Sequence, residues 1–265
     1  MHTELKQEHT MDSIITMKGL RKSYGKKEVL HGIDLEIAPG QVIGYIGPNG
    51  AGKSTTVRIL AGLDSQFEGE VTVNGLDIRT QALEVKKRIG YIPEQTEIYD
   101  VLTPREFLSM LGRLQGMETE QLDTRMLKML SYFGMDGHID DRMDTFSKGM
   151  RQKVLLVSGL LHNPEIIFMD EPLSGLDANT VILVKEIITQ LAAQGKTIIY
   201  CSHIMDTVEK ISDRIVLIAE GSVVADGPIE TLRSNQGDSL EAIFSNLTGQ
   251  GGFDQKASDF MKSFE

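Results

Sequence analysis

The residues whose types and spacing promise chemistry most directly are GPNGAGKS, at positions 47–54. They fit the pattern G-x-x-x-x-G-K-[ST] without a mismatch, and its glycines let backbone N–H groups close around phosphate oxygens. Lys53 can reach the outer phosphates, and the Ser54 hydroxyl can bind Mg²⁺. A second group complements this loop. EIIFMD at 165–170 is followed by Glu171, so an apolar run ends in two carboxylates. Asp170 is placed to hold the Mg²⁺ shell. Glu171, one residue further, is placed to orient or deprotonate an attacking water.

These residues need elements to position them. A phosphate loop needs a strand before it and a helix after it, because the helix N-terminus supplies the anion site. QVIGYI at 41–46 is apolar and β-branched, and STTVRILAGL at 54–63 reads as a helix. Upstream, Ile33, Leu35 and Ile37 alternate with Asp34 and Glu36, the pattern of a half-buried strand. Val71 and Val73 end at Asn74-Gly75, a hairpin signal. Residues 13–95 are therefore expected to form a β-rich lobe around the loop and its helix. From about 100 to 162 the pattern becomes helical. Thr103, Pro104 and Glu106 make a capping box with proline at the first helical position. Phe107, Leu108, Leu111 and Leu114 follow at helical spacing, then Met126, Leu127, Leu130 and Phe133. A third helix starts near Ser147. After 163, EIIFMD, TIIYCS (197–202) and RIVLIA (214–219) alternate with helical stretches, which implies a mainly parallel sheet. Asp238 and Glu241 cap one more helix, with Leu240, Ile243, Phe244 and Leu247 on one face. The residues from 250 onward are expected to be a loosely ordered tail.

Composition narrows the partners. A net charge of −11 with no basic block argues against nucleic acid. Cys201 is the one cysteine, so no intramolecular disulfide and no cysteine-based zinc site is expected, which suits a reducing compartment. The first residues, MHTELKQEHTMDS, lack the apolar stretch of a secretory signal. The longest apolar runs, such as VLLVSGLL at 154–161, fall far short of the ~20 residues that span a bilayer. The polypeptide itself is not expected to cross a membrane.

Taken in order, the phosphate loop, FSKGMRQK (146–153), the Asp170-Glu171 pair, PLSGLD (172–177) and Ser202-His203 resemble the ATP-binding cassette family, the ATPase subunits of ABC transporters. The resemblance covers residues 13–235. It implies an α/β P-loop NTPase fold: a RecA-like core, an N-terminal antiparallel β subdomain and an α-helical subdomain inserted at about 100–162, with 236–265 as a C-terminal helix and tail. By the same resemblance, Tyr24 matches the aromatic residue that stacks on adenine. Gly47, Pro48, Asn49, Gly50, Ala51, Gly52, Lys53, Ser54 and Thr55 match the phosphate loop. Ser147 and Gly149 match the signature that binds the γ-phosphate of a partner's ATP, Asp177 the acid that aligns two subunits, and His203 the switch histidine. Two departures stand out. The usual signature is LSGGQ, whereas Phe146, Lys148 and Met150 replace its Leu, first Gly and Gln, as in an export-associated, ABC-2 type branch. The family usually carries Gln after the Pro of IGYIP, to reach Mg²⁺. Here Glu94 fills that position and Gln95 follows, so either could serve.

The family's arrangement is a head-to-tail dimer, with ATP between the phosphate loop of one subunit and the signature of the other. The resemblance therefore implies ATP and Mg²⁺ as ligands and an ATPase activity with Glu171, His203 and Lys53 in catalytic roles. It further implies pairing with a second copy or a related ATPase, an integral-membrane permease partner, and a place at the cytoplasmic face of the membrane. Ile98, Tyr99, Val101 and Leu102 are expected to meet a helix of that permease. Two other readings compete: a soluble ABC-type ATPase serving iron–sulfur cluster assembly or DNA repair, and a nucleotide-gated scaffold that does not hydrolyse.

Overall fold

The computed structural model describes residues 13–94, 98–233, 239–248, 258 and 260–264. Gln95, Asp238 and most of the tail expected from 250 onward lie outside the described residues, as does the side chain of Leu247.

Two sheets organise the chain. The first is antiparallel, in the order β2 (Lys27–Ile37), β1 (Ile15–Tyr24), β4 (Glu68–Val73), β5 (Leu76–Asp77). The alternation read from sequence is realised here: Ile33, Leu35 and Ile37 are buried and Asp34 and Glu36 exposed. The second sheet has six strands: β3 (Val42–Ile46), β6 (Ile89–Ile92), β7 (Ile166–Asp170), β8 (Thr197–Cys201), β9 (Arg214–Ala219) and β10 (Ser222–Gly227), in the order β10-β9-β3-β8-β7-β6. Its pairings are parallel except β10 with β9. Every residue of β3, β7 and β8 is buried. That is why these strands are written as unbroken apolar runs rather than alternations: both faces are covered.

The expectation of one β-rich lobe over 13–95 needs correction here. β3 and β6 belong to the parallel sheet, not to the antiparallel one. Their continuous apolar character, against the alternation of β1, β2 and β4, is the physical difference.

The parallel sheet separates two cores. Ile43, Tyr45, Ile166, Phe168, Ile199 and Cys201 face the antiparallel sheet and the helix α1 (Lys53–Leu60). Val42, Ile46, Ile167, Met169, Ile198 and Tyr200 face a helical layer. Further helices among the described residues are α2 (Ala82–Arg88), α3 (Pro104–Leu114), α4 (Thr119–Tyr132), α5 (Lys148–Leu160), α6 (Ala178–Ala193), α7 (Met205–Ile211), α8 (Ile229–Leu232) and α9 (Leu240–Thr248), with short 3₁₀ helices at Asp136–His138 and Met143–Thr145. α3 begins with both halves of its capping box: the Glu106 N–H donates to Thr103 Oγ1 at 3.2 Å, and the Thr103 N–H to Glu106 Oε2 at 2.9 Å. Leu114, counted with the apolar face of α3, is instead 75% exposed. α9 closes against α7, with Leu240 and Ile243 buried.

Candidate active site

In an open parallel sheet, ligands bind beyond the carboxyl ends of the strands. Here β3, β8 and β7 lie side by side, with Tyr45 level with Cys201 and Cys201 level with Asp170. Their ends release the phosphate loop, Ser202-His203 and Asp170-Glu171 at one edge. A cavity of about 900 Å³ opens there. It is lined by Tyr24, Gly47, Pro48, Asn49, Gly50, Gly52, Lys53, Ser54, Thr55, Glu94, Asp170, Glu171 and His203, which unites most of the residues picked out from sequence. Ala51 is buried beneath the loop, 3% exposed.

The loop depends on glycine at two positions. Gly52, which precedes the first turn of α1, has φ 108°, and a Cβ there would meet Leu30 Cδ2 at 2.4 Å. At Gly47 a Cβ would meet the carbonyl oxygen of Ile218 at 2.2 Å. Lys53 is almost buried and curls over the loop, its Nζ donating to the carbonyls of Gly47 at 2.7 Å and Pro48 at 3.2 Å.

Asp170 is 2% exposed, and burial pushes its carboxyl above the usual range, aided by the charges of Glu94 and Glu171 and opposed by a hydrogen bond from Ser54 and the charge of Lys53. Its Oδ1 is buried with no hydrogen-bond partner. A desolvated carboxylate with one unmatched oxygen beside a serine hydroxyl fits Mg²⁺, which takes one or two carboxylates and fills its remaining positions with water and phosphate oxygens. Among the described residues no group of three or more His, Cys, Asp or Glu side chains forms a full protein cage, and this ion needs none.

Glu171 adopts a left-handed backbone conformation, φ 47°, rare for a residue with a side chain. That turn aims its carboxylate back at the end of β8. Oε1 accepts from the His203 N–H at 2.8 Å and pairs with His203 Nδ1 at 2.7 Å, and Oε2 accepts from the Ser202 hydroxyl at 3.0 Å. An ionised carboxylate only accepts, so in this pairing Nδ1 carries the proton and Nε2 points elsewhere. The Glu171 side chain is 11% exposed and that of His203 is 69%.

Ser147, Gly149 and Asp177 do not line this cavity. Ser147 caps α5, its hydroxyl accepting from the Met150 N–H at 3.2 Å. Gly149 lets α5 approach the loop after Glu171, since a Cβ would meet the Gly175 carbonyl oxygen at 2.6 Å. Asp177 caps α6, accepting from the Thr180 N–H and hydroxyl, and these bonds lower its carboxyl to about 2. Lys153 lies 3.6 Å from it.

The cavity also takes in Lys27, Val29, Met205 and Phe244, which sequence reasoning did not assign to it. Lys27 pairs with Tyr24 across a tight hairpin and Val29 stands two residues further along the same strand, a readable signal. The helical face of Phe244 was visible, but nothing local says that this face reaches the nucleotide edge.

A P-loop α/β layer with acid-tipped strands defines a nucleotide-hydrolysing class of fold, and comparison with known proteins narrows it. The ABC transporter family model matches residues 30–174. Relatives include the ABC transporter ATP-binding protein NatA of Bacillus subtilis, 38% identical over 87% of this chain and 96% of that protein. Another is the Nod factor export ATP-binding protein I of Cupriavidus metallidurans, 33% identical over 90% of this chain and 82% of that one. A solved ATP-binding subunit of an ABC transporter superposes with a TM-score of 0.84 at 30% identity, covering 89% of this chain and all of that one. The cassette MJ0796, solved as a dimer in a post-hydrolysis state with ADP and Pi, shares the fold at a TM-score of 0.75 and 24% identity, over 81% of this chain and 98% of that one. The chain belongs to the ABC transporter family as an ATP-binding subunit, an ABC-type ATPase with export-type relatives.

Proposed function

We propose that this chain energises export through a separate membrane permease, by clamping ATP between two copies of itself or between itself and a related ATPase. Residues 13–235 act as the ATPase unit, with the helical insertion at about 100–162 and the C-terminal helix and tail at 236–265. One observation carries this reading: a single cavity gathers the phosphate loop, Asp170, Glu171 and His203, while Ser147, Gly149 and Asp177 stand outside it. A second subunit, brought head to tail, would supply those three to the first subunit's nucleotide. MJ0796, which shares this fold, is described as a dimer.

In this account the loop N–H groups and Lys53 hold the phosphates, and the open face of Tyr24 takes the adenine. Ser54 and Asp170 would hold Mg²⁺, with Glu94 or Gln95 at its shell. When bound, the ion neutralises charge on the phosphate oxygens. Glu171, held by Ser202 and His203, takes a proton from the attacking water, and His203 steadies the charge that develops on the γ-phosphate. The closed dimer is favoured by ATP and released by its hydrolysis, which turns chemistry into motion.

For the permease contact the expected cluster divides. Tyr99 is 66% and Val101 59% exposed, whereas Ile98 and Leu102 pack against the core. Tyr99 and Val101 are therefore the residues offered to a partner. Elements α2, β6, α3 and α5 frame a separate apolar groove of about 540 Å³, with the exposed Leu63, Leu83 and Leu114 among its lining residues. No described helix is long and apolar enough to cross a membrane. Location at the cytoplasmic face follows from the permease partnership.

The test is to tag the chain, solubilise membranes in mild detergent and identify what copurifies. A multi-span protein whose transport is lost in Tyr99→Ser/Val101→Ser, with ATP hydrolysis retained, supports the reading. Exclusively soluble partners would favour the cluster-assembly alternative.

A further inference from the structure

The Tyr24 ring is held by two side chains that no motif singles out. Lys22 stands two residues earlier on β1 and is only 3% exposed. Its Nζ donates to Asp64 Oδ1 at 2.7 Å and to the Gln66 carbonyl, and sits 4.7 Å from the centroid of the Tyr24 ring. The Tyr24 hydroxyl donates to the other Asp64 oxygen, Oδ2, at 3.0 Å. The Gln66 N–H donates to Asp64 Oδ1 at 3.0 Å, so the carboxylate is anchored in its own turn. Burial pushes the Asp64 carboxyl up, but the bonds from Lys22, Gln66 and Tyr24 outweigh it and hold the group below the usual range.

One carboxylate thus fixes the end of the ring and also the cation over one of its faces. The ammonium occupies that face, so a flat base has only the other, and Tyr24 keeps 49% of its surface open. Asp64 follows directly on the turn that ends α1, the helix whose N-terminus is the phosphate loop. Eight residues of helix span about 12 Å. The phenol and the phosphate site are therefore tied to opposite ends of one short rigid element. A buried lysine is rare, and such a pair adds little net stability, so its placement calls for a positional reason.

We propose that Lys22 and Asp64 are positioning residues for the nucleobase, fixing the plane of the Tyr24 ring and its distance from the phosphate loop. The inference rests on Tyr24 being the base-stacking residue. The experiment separates the two claims by titrating the full chain calorimetrically with ATP and with inorganic tripolyphosphate, which has phosphates but no base. Tyr24→Ala should weaken ATP at least about tenfold, Asp64→Asn about tenfold, and Tyr24→Phe, which removes only the tie, about threefold. Tripolyphosphate should bind all three within twofold of the parent chain. If Tyr24→Ala leaves ATP unchanged, the stacking assignment itself is wrong and the inference goes with it. If Tyr24→Ala weakens ATP but Asp64→Asn and Tyr24→Phe do not, positioning is refuted while stacking stands. Equal loss of both ligands reduces the pair to a structural role and also refutes the proposal. Should Asp64→Asn fail to fold, Tyr24→Phe decides alone, because it leaves the Lys22–Asp64 pair intact.

Discussion

Replacing Glu171 by Gln isolates proton transfer from architecture. The carboxylate accepts two bonds from His203 on Oε1 and one from the Ser202 hydroxyl on Oε2. A glutamine carbonyl can take the Oε1 place and accept both His203 bonds. Its NH₂ then faces Ser202 Oγ, which already accepts from the Ile204 N–H at 3.1 Å and has one lone pair left, while the displaced hydroxyl proton turns to the buried Tyr200 oxygen. The left-handed backbone at 171 is unchanged by the substitution. The fold should therefore lose less than about 1 kcal/mol. ATP affinity should stay within twofold, because the phosphate loop is untouched. What disappears is a group able to accept a proton from water. A positioned general base contributes roughly 10²–10⁴ in rate, or about 2.7–5.4 kcal/mol of barrier. Phosphate release, ATP titration and thermal unfolding should be measured on the same preparation. The expected result is turnover down at least about a hundredfold, unchanged unfolding and affinity, and an ATP-bound dimer on size-exclusion chromatography. Turnover within threefold of the parent chain would remove Glu171 as the base. A matched loss of affinity would make it a binding residue instead.

Three further outcomes are expected. Gly52→Ala forces a φ of 108° on a residue with a Cβ and drives that atom against Leu30, so it should destabilise the fold by roughly 2 kcal/mol in a melt and lower ATP affinity in titration. Ser147→Ala removes the α5 cap, about 1 kcal/mol of stability, and should cut turnover while ATP binding to dilute chain is spared, because its hydroxyl is assigned to the partner's nucleotide. Cys201 is fully buried and its thiol is pushed up by that burial, so a chromogenic disulfide reagent should react only at the rate of unfolding and faster in denaturant. Prompt reaction in native buffer would show that the end of β8 opens locally.

The sequence made the strand ends legible because their chemistry is local. A glycine pattern, an acid-tipped apolar run and a Ser-His pair each declare a strand followed by a functional turn. Sheet membership was less legible. β3 and β1 both read as β, and the unbroken apolar run of β3 against the alternation of β1 is the one local sign that they belong to different sheets. Contacts far apart in sequence were invisible: nothing local ties Asp64 to Lys22, or places Phe244 at the cavity beside the phosphate loop. The left-handed turn at Glu171 was also hidden, because glutamate does not advertise positive φ as glycine does. The apolar cluster around Tyr99 was visible as a cluster, but its division into inward Leu102 and outward Val101 required the fold.

The dependence of specific ATPase activity on protein concentration tests the shared-nucleotide account most directly. With Mg²⁺-ATP saturating, activity per chain should climb as protein concentration rises through the dimerisation range and then level off, in step with the dimer fraction seen by sedimentation. Constant activity per chain at dilutions where sedimentation detects only single chains would contradict it.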